Sequence, residues 1–153
     1  MIKANIILSH SNWKRFLIKP NNYFKKRLNK LSKAPSFRRK NHEFSVLLTN
    51  NKEMKKLNHK FRNKNLTTNV LSFQSDDVSI KHTKNIGDIA ISSEYVEREA
   101  VEEGKFFEDH MIHMLAHGVY HILGYDHQNE ETALIMENKE INILNKININ
   151  NPY

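Results

Sequence analysis

The stretch His117-Gly118-Val119-Tyr120-His121-Ile122-Leu123-Gly124-Tyr125-Asp126-His127 sets three histidines at the spacing H-x3-H-x5-H. On a helix, residues four apart stand one turn apart on the same face, so His117 and His121 present their imidazoles to one point. Gly124 can take the left-handed conformation that ends a helix, and the chain then turns back so that His127 reaches the same point from beyond the helix end. Three neutral imidazoles with no fourth protein ligand leave an open coordination position, the arrangement of catalytic rather than structural zinc. Water in that position would be acidified from a pKa of about 15.7 toward roughly 7 and become a nucleophile near neutral pH. One zinc ion suits the nitrogen donors and a tetrahedral fit, although nickel, copper and cobalt also bind three imidazoles. The chemistry this pattern points to is hydrolysis.

Working outward, His113 lies one turn before His117 on the same face, where supporting a ligand, touching a substrate and plain packing are all open. Asp126 is the nearest carboxylate in sequence, and it suits either an orienter of the third ligand or a turn residue. Gly118 is the decisive neighbour. A metalloprotease with an H-E-x-x-H helix has its general base at that position, and glycine moves no proton. Peptide hydrolysis by that mechanism is therefore disfavoured, and the general base of whatever reaction occurs is left unassigned.

From Ser92 onward the apolar period is about 3.6, which predicts three helices. The first is capped by Ser92 or Ser93 and stops near Gly104, and the second runs from about Phe106 to Leu123. The third spans roughly Glu130 to Ile147, with Leu134, Ile135, Ile141 and Leu144 on its apolar stripe. Before Ser92 the reading is mixed. Strands are expected over Ile2 to Leu8, Glu43 to Thr49, Val70 to Phe73 and Gly87 to Ile91. A basic helix after Pro20 is ended by Pro35, and a second helix, capped by Asn50 or Asn51, carries Met54, Leu57 and Phe61. Asp76 to Asn85 reads as an exposed polar loop. This order is that of an α+β chain.

At 153 residues with 39% hydrophobic content the chain is the size of one domain, residues 1–153. It has no cysteine, which removes disulfide partners and thiolate-bound zinc and leaves histidine and carboxylate as metal ligands. The apolar run Ile6 to Leu8 is too short for a signal-peptide core or a membrane span, so a cytoplasmic protein without membrane attachment is expected. The charge is unevenly placed. Residues 1–64 carry 18 Lys/Arg against 2 acids, whereas residues 65–153 carry 6 against 15. Clusters such as Lys25-Lys26-Arg27 and Arg38-Arg39-Lys40 would attract a polyanion, RNA or DNA foremost, unless they are simply a solvated surface.

The segment HGVYHILGYDH closely resembles the signature of the YbeY endoribonucleases, the bacterial 16S rRNA maturation factors. Leu57-Asn58, Phe61-Arg62, Thr68 to Phe73, Gly87-Asp88-Ile89, Glu99-Ala100, Met136-Glu137 and Pro152-Tyr153 follow in the family's order. The resemblance is good over residues 43–153 and loose before them. It implies an α+β fold with a small mixed sheet of about four strands packed against helices, one of them a zincin-like helix bearing the histidines. It further implies zinc-dependent cleavage of single-stranded RNA, in 16S rRNA 3′-end maturation and ribosome quality control, with the ribosome or small-subunit proteins as partners. Carried onto this chain, His117, His121 and His127 would hold the zinc and Arg62 would be the functionally important arginine. A fixed guanidinium can pair with the charge that builds on a phosphodiester during cleavage. Thr68, Asn69, Ser72 and His113 are candidate substrate contacts. Thr67 stands where the family commonly has proline. Two rivals remain: a zincin-like protease, and a ribosome-binding assembly factor whose metal is structural.

Overall fold

The computed structural model describes residues 3–9, 13, 23–34 and 42–153. Strands β1 (Lys3–Leu8), β2 (Glu43–Thr49), β3 (Val70–Gln74) and β4 (Asn85–Ser92) form one sheet in the order β1-β2-β4-β3. β1, β2 and β4 run parallel, with Ile6 opposite Val46 and Val46 opposite Ile89. β3 closes one edge antiparallel to β4, Val70 lying opposite Ile91. Among the described residues the helices are α1 (Tyr23–Ser32), α2 (Asn51–Arg62), α3 (Asp77–Thr83), α4 (Ser93–Glu102), α5 (Phe107–Ile122) and α6 (Glu130–Asn145). The expected α+β class, with a small mixed sheet against helices, is what the chain adopts.

Strand alternation decides which face meets which helix. Phe44, Val46 and Leu48 of β2 and Ile89 and Ile91 of β4 point into the main core, where they meet Met111, Leu115 and Val119 of α5. Ala90 and Leu71 point the other way and pack with Met54 of α2 in a smaller cluster. Fully burying a side chain such as Leu48 stabilises by about 2 kcal/mol. Trp13 is wholly buried, and its indole N–H donates to the Thr49 carbonyl over 2.9 Å. α5 lies so near the sheet that a Cβ added at Gly118 would stand 3.0 Å from Ile89 Cδ1 and 3.1 Å from its Cγ2. The residue that removed the protease base is thus also a close-packing residue, and a glutamate there would be forced against the sheet.

Two expectations are corrected. Asp76 to Asn85 has no buried residue, as expected, but is not a loop: Asp76 accepts from the Ser79 amide over 2.8 Å and caps α3, which ends at Lys84 in the left-handed region. So short a helix, with no buried residue, leaves no apolar period to read. The apolar stripe on α6 also differs. Leu134 and Ile135 are exposed, and the inward face is Met136, Glu140, Ile143 and Leu144. A carboxylate occupies the centre of that face because histidines of α5 meet it, as described below. α1 matches the basic helix expected after Pro20, burying Leu28 and Leu31. Pro20, Pro35 and the cluster Arg38-Arg39-Lys40 lie outside the described residues.

Candidate metal centre and cleft

α5 ends in a Schellman turn. The Gly124 amide donates to the His121 carbonyl over 2.9 Å and the Tyr125 amide to the Tyr120 carbonyl over 3.0 Å, with Gly124 at φ +96. This reversal brings His127 back over the helix face. Each of His117, His121 and His127 offers a nitrogen lying within 4.8 Å of those of the other two.

The hydrogen-bond partners fix which nitrogens these are. His121 Nδ1 is 3.0 Å from the Tyr125 carbonyl oxygen, which only accepts, so Nδ1 carries the proton and Nε2 is bare. His117 Nδ1 lies 2.9 Å from Glu140 Oε1, and by the same reasoning the neutral ring of His117 would leave its Nε2 bare. The two Nε2 atoms stand 3.0 Å apart. Where neither nitrogen holds a proton, both lone pairs face one point, and a cation there would be shared by the two rings. The donor set fits a zinc-type ion bound by three imidazoles. Burial, and after it the neighbouring His117 and His127, lower the His121 pKa to about 4, which keeps it neutral and able to ligate near pH 7.

Glu140 is the residue that the sequence did not reveal. It has no exposed surface and receives three hydrogen bonds: from His117, from His113 Nε2 at 2.8 Å and from the Tyr153 hydroxyl at 2.6 Å. Burial alone would raise its pKa, but these donors outweigh burial and bring it to about 2. The carboxylate therefore holds His117 in the tautomer that frees Nε2. Burial and the Glu140 carboxylate push the Tyr153 phenol the other way, well above its ordinary value. The available signal was the spacing Met136, Glu140, Ile143, Leu144, one helix face with an acid in its middle.

A cleft of about 520 Å³ opens beside the histidines, and Arg62, Thr68, Asn69 and Ser72 line it together with His117, His121 and His127. Arg62 is the last residue of α2, where Asn63 takes the left-handed conformation, and its guanidinium donates to the Ser72 carbonyl over 2.9 Å. Asn58 ties the following loop down through its amide, 2.8 Å from the Leu66 carbonyl. Asn69 is held from behind by Glu99, its amide 3.2 Å from Oε2, and Glu99 is in turn 2.8 Å from His110 Nε2. Lys64 adds a second cation to the lining, which includes no Asp or Glu.

His113 is not part of this wall. It is buried behind Glu140 and borders a separate cavity of about 170 Å³ that Lys105 and Asn151 also line. Asp126 accepts from the Gln128 amide over 3.2 Å, a turn contact. It borders a smaller pocket of about 250 Å³ that continues from the cleft past Arg62, Ser72 and His121.

Comparisons with known proteins identify the family and the fold. The family model described as "Endoribonuclease YbeY" matches residues 9–148. A protein named Endoribonuclease YbeY from Bartonella bacilliformis is 47% identical over 113 residues, covering 72% of each chain. One of that name from Ruthia magnifica is 46% identical over 111 residues, 72% of this chain and 77% of the other. In fold, the solution structure of TM1509 from Thermotoga maritima superposes with a TM-score of 0.64 at 24% identity, covering 94% of this chain and 88% of that one. With a family model spanning nearly its whole length and relatives this similar, the chain belongs to the YbeY endoribonuclease family.

Proposed function

We propose that residues 1–153 act as a single metal-dependent endoribonuclease domain that hydrolyses phosphodiesters of single-stranded RNA, with one zinc ion held by His117, His121 and His127. The observation that carries this reading is the composition of one wall: three imidazoles aimed at a point beside Arg62 and Lys64, with no acid in the lining. Such a wall suits an anionic substrate and repels a cationic one.

A bound zinc ion would supply an acidified water and a positive charge next to the phosphate. The rest is the chain's own work. Arg62, fixed by Ser72, directs its remaining donors to the phosphate oxygens on which charge builds. Asn69, oriented by Glu99, offers an amide on the same wall, and Thr68 and Ser72 are further contacts for phosphate or ribose. His113 serves through Glu140, holding the carboxylate that orients His117. The basic first part of the chain steers the polyanion in. In keeping with the family resemblance, the substrate is ribosomal RNA in the cytoplasm, in 16S rRNA 3′-end maturation and ribosome quality control, with the ribosome or small-subunit proteins as partners.

The test is cleavage of a single-stranded RNA against the same sequence in a duplex. Only the single strand should be cut, a chelator should abolish cutting and zinc should restore it. His117→Ala should be inactive, and Arg62→Ala should lose about 10²–10³ in rate, the range for one preorganised donor at developing charge. If both variants cut as fast as the wild type, the catalytic assignment is wrong and the metal is structural.

A further inference from the structure

One rim of the cleft is built from the end of α2, the loop after it and β3. Between Glu53 and Asp76 this part of the chain contains no acidic residue. Among its cations, Lys60, Arg62 and Lys64 alternate with other residues at the turn where α2 ends. The rim also carries an aromatic ring on its outside. Phe61 is 54% exposed, although it sits between two of these cations.

The ring is not a loose side chain. It leans on Phe73 of β3 with centroids 5.1 Å apart and planes tilted 59°. Phe73 is itself partly buried against the cluster of Met54, Leu71 and Ala90, which anchors the pair to the sheet. The Lys60 ammonium stands 5.2 Å from the Phe61 centroid, and the Arg62 guanidinium carbon 5.7 Å from the Phe73 centroid. The order Lys60, Phe61, Phe73, Arg62 is thus a short run of two rings with a cation at each end, and its last member lines the cleft beside the three histidines.

We propose that Phe61 is a stacking platform for one base of a single-stranded RNA whose phosphate is held at Arg62. The base lies on the ring in the place that the Lys60 ammonium takes in the free protein, and Lys60 moves to an adjacent phosphate. Stacking on a phenyl ring is tolerant of sequence, because every base has a π-face. It does discriminate by strandedness: in a duplex the faces are already stacked on their neighbours, so a paired base has nothing to offer Phe61. The inference rests on the RNA-cleaving reading above and supplies its preference for single strands with a physical cause.

The experiment uses the zinc-loaded protein and a short single-stranded RNA in which 2-aminopurine is moved through successive positions, read by stopped flow before cleavage. In the wild type one position should be quenched on binding. Phe61→Leu, which keeps an apolar contact with Phe73 but has no ring, should lose that quenching and bind about tenfold more weakly. Phe61→Tyr should keep both. An abasic site at the quenched position should weaken the wild type by the same factor and leave Phe61→Leu unchanged. Wild-type affinity and quenching in Phe61→Leu, in a protein that still cuts the single strand, would overturn the platform alone. A wild type that neither binds nor cuts the RNA would overturn the RNA-cleaving reading and the platform with it.

Discussion

A carboxylate with no exposed surface stays ionised only where neighbouring donors replace the water it has lost. Glu140 has three such donors, His113, His117 and Tyr153, and holds them on two oxygens. Glu140→Gln keeps the volume but turns one acceptor into a donor, so the wrong tautomer of His117 becomes competitive. Zinc affinity should fall by about 10–100-fold, measured by competition with a chromophoric chelator; unchanged affinity would show that His117 needs no orienter.

The same groups set the response of the metal-free protein to acid. His121 has a folded pKa of about 4 against 6.5 for the free side chain, so the unfolded chain takes the proton first and stability is lost as pH falls from 6.5 to about 4. Glu140, at about 2 against 4.5, adds a further loss as pH falls from 4.5 to about 2. Urea midpoints followed by circular dichroism should decline across both windows, and His121→Asn should flatten the upper one. His117, His121 and His127 were legible because one helix and its turn contain them all. Glu140 was not, since its partners His113 and His117 are 27 and 23 residues away in sequence and a helix glutamate usually reads as solvated.

At the scale of elements, the turn after α5 does two jobs at once. It returns His127, and it presents the Tyr125 carbonyl to His121. A Cβ at Gly124 would meet nothing within 4 Å, so Gly124→Ala is opposed by its φ of +96 alone, about 1–2 kcal/mol. Thermal unfolding should show that loss in the metal-free protein, and chelator competition should show weaker zinc binding beside it. A variant destabilised with wild-type zinc affinity would mean that the ligands do not depend on the turn. Strands β2 and β4 and helices α2, α4 and α5 were readable from period and caps within a few residues. α3 was not, because its stability comes from Asp76 capping rather than from burial. α6 was found as an element and Leu144 on its inner side, but Leu134 and Ile135 were misplaced, because that side is organised around a charge that only α5 explains.

For the whole molecule, the two facts that matter are where charge lies and how far apart in sequence the contacts are. If Arg62 and Lys64 each meet a phosphate, the log–log dependence of RNA affinity on salt should lose about 0.7 in slope when either is changed to alanine. Anisotropy titrations over a range of salt would measure this, and an unchanged slope would place the phosphates elsewhere. The uneven charge was legible in the sequence. That α2 and β3 gather its consequence into one cleft wall was not, because that depends on the β3 edge position in the sheet.

The sheet pairs Lys3 with Glu43 and Glu43 with Asn85, parallel partners that must find each other across long intervening stretches of chain. The three histidines, by contrast, lie within one helix and the turn that closes it. Loop closure over so short a span is fast, whereas non-local parallel pairing is slow. If the three histidines bind an ion, that local geometry would allow its capture before the sheet has formed. Refolding followed by stopped flow should then be faster with zinc present from the start than in the metal-free protein.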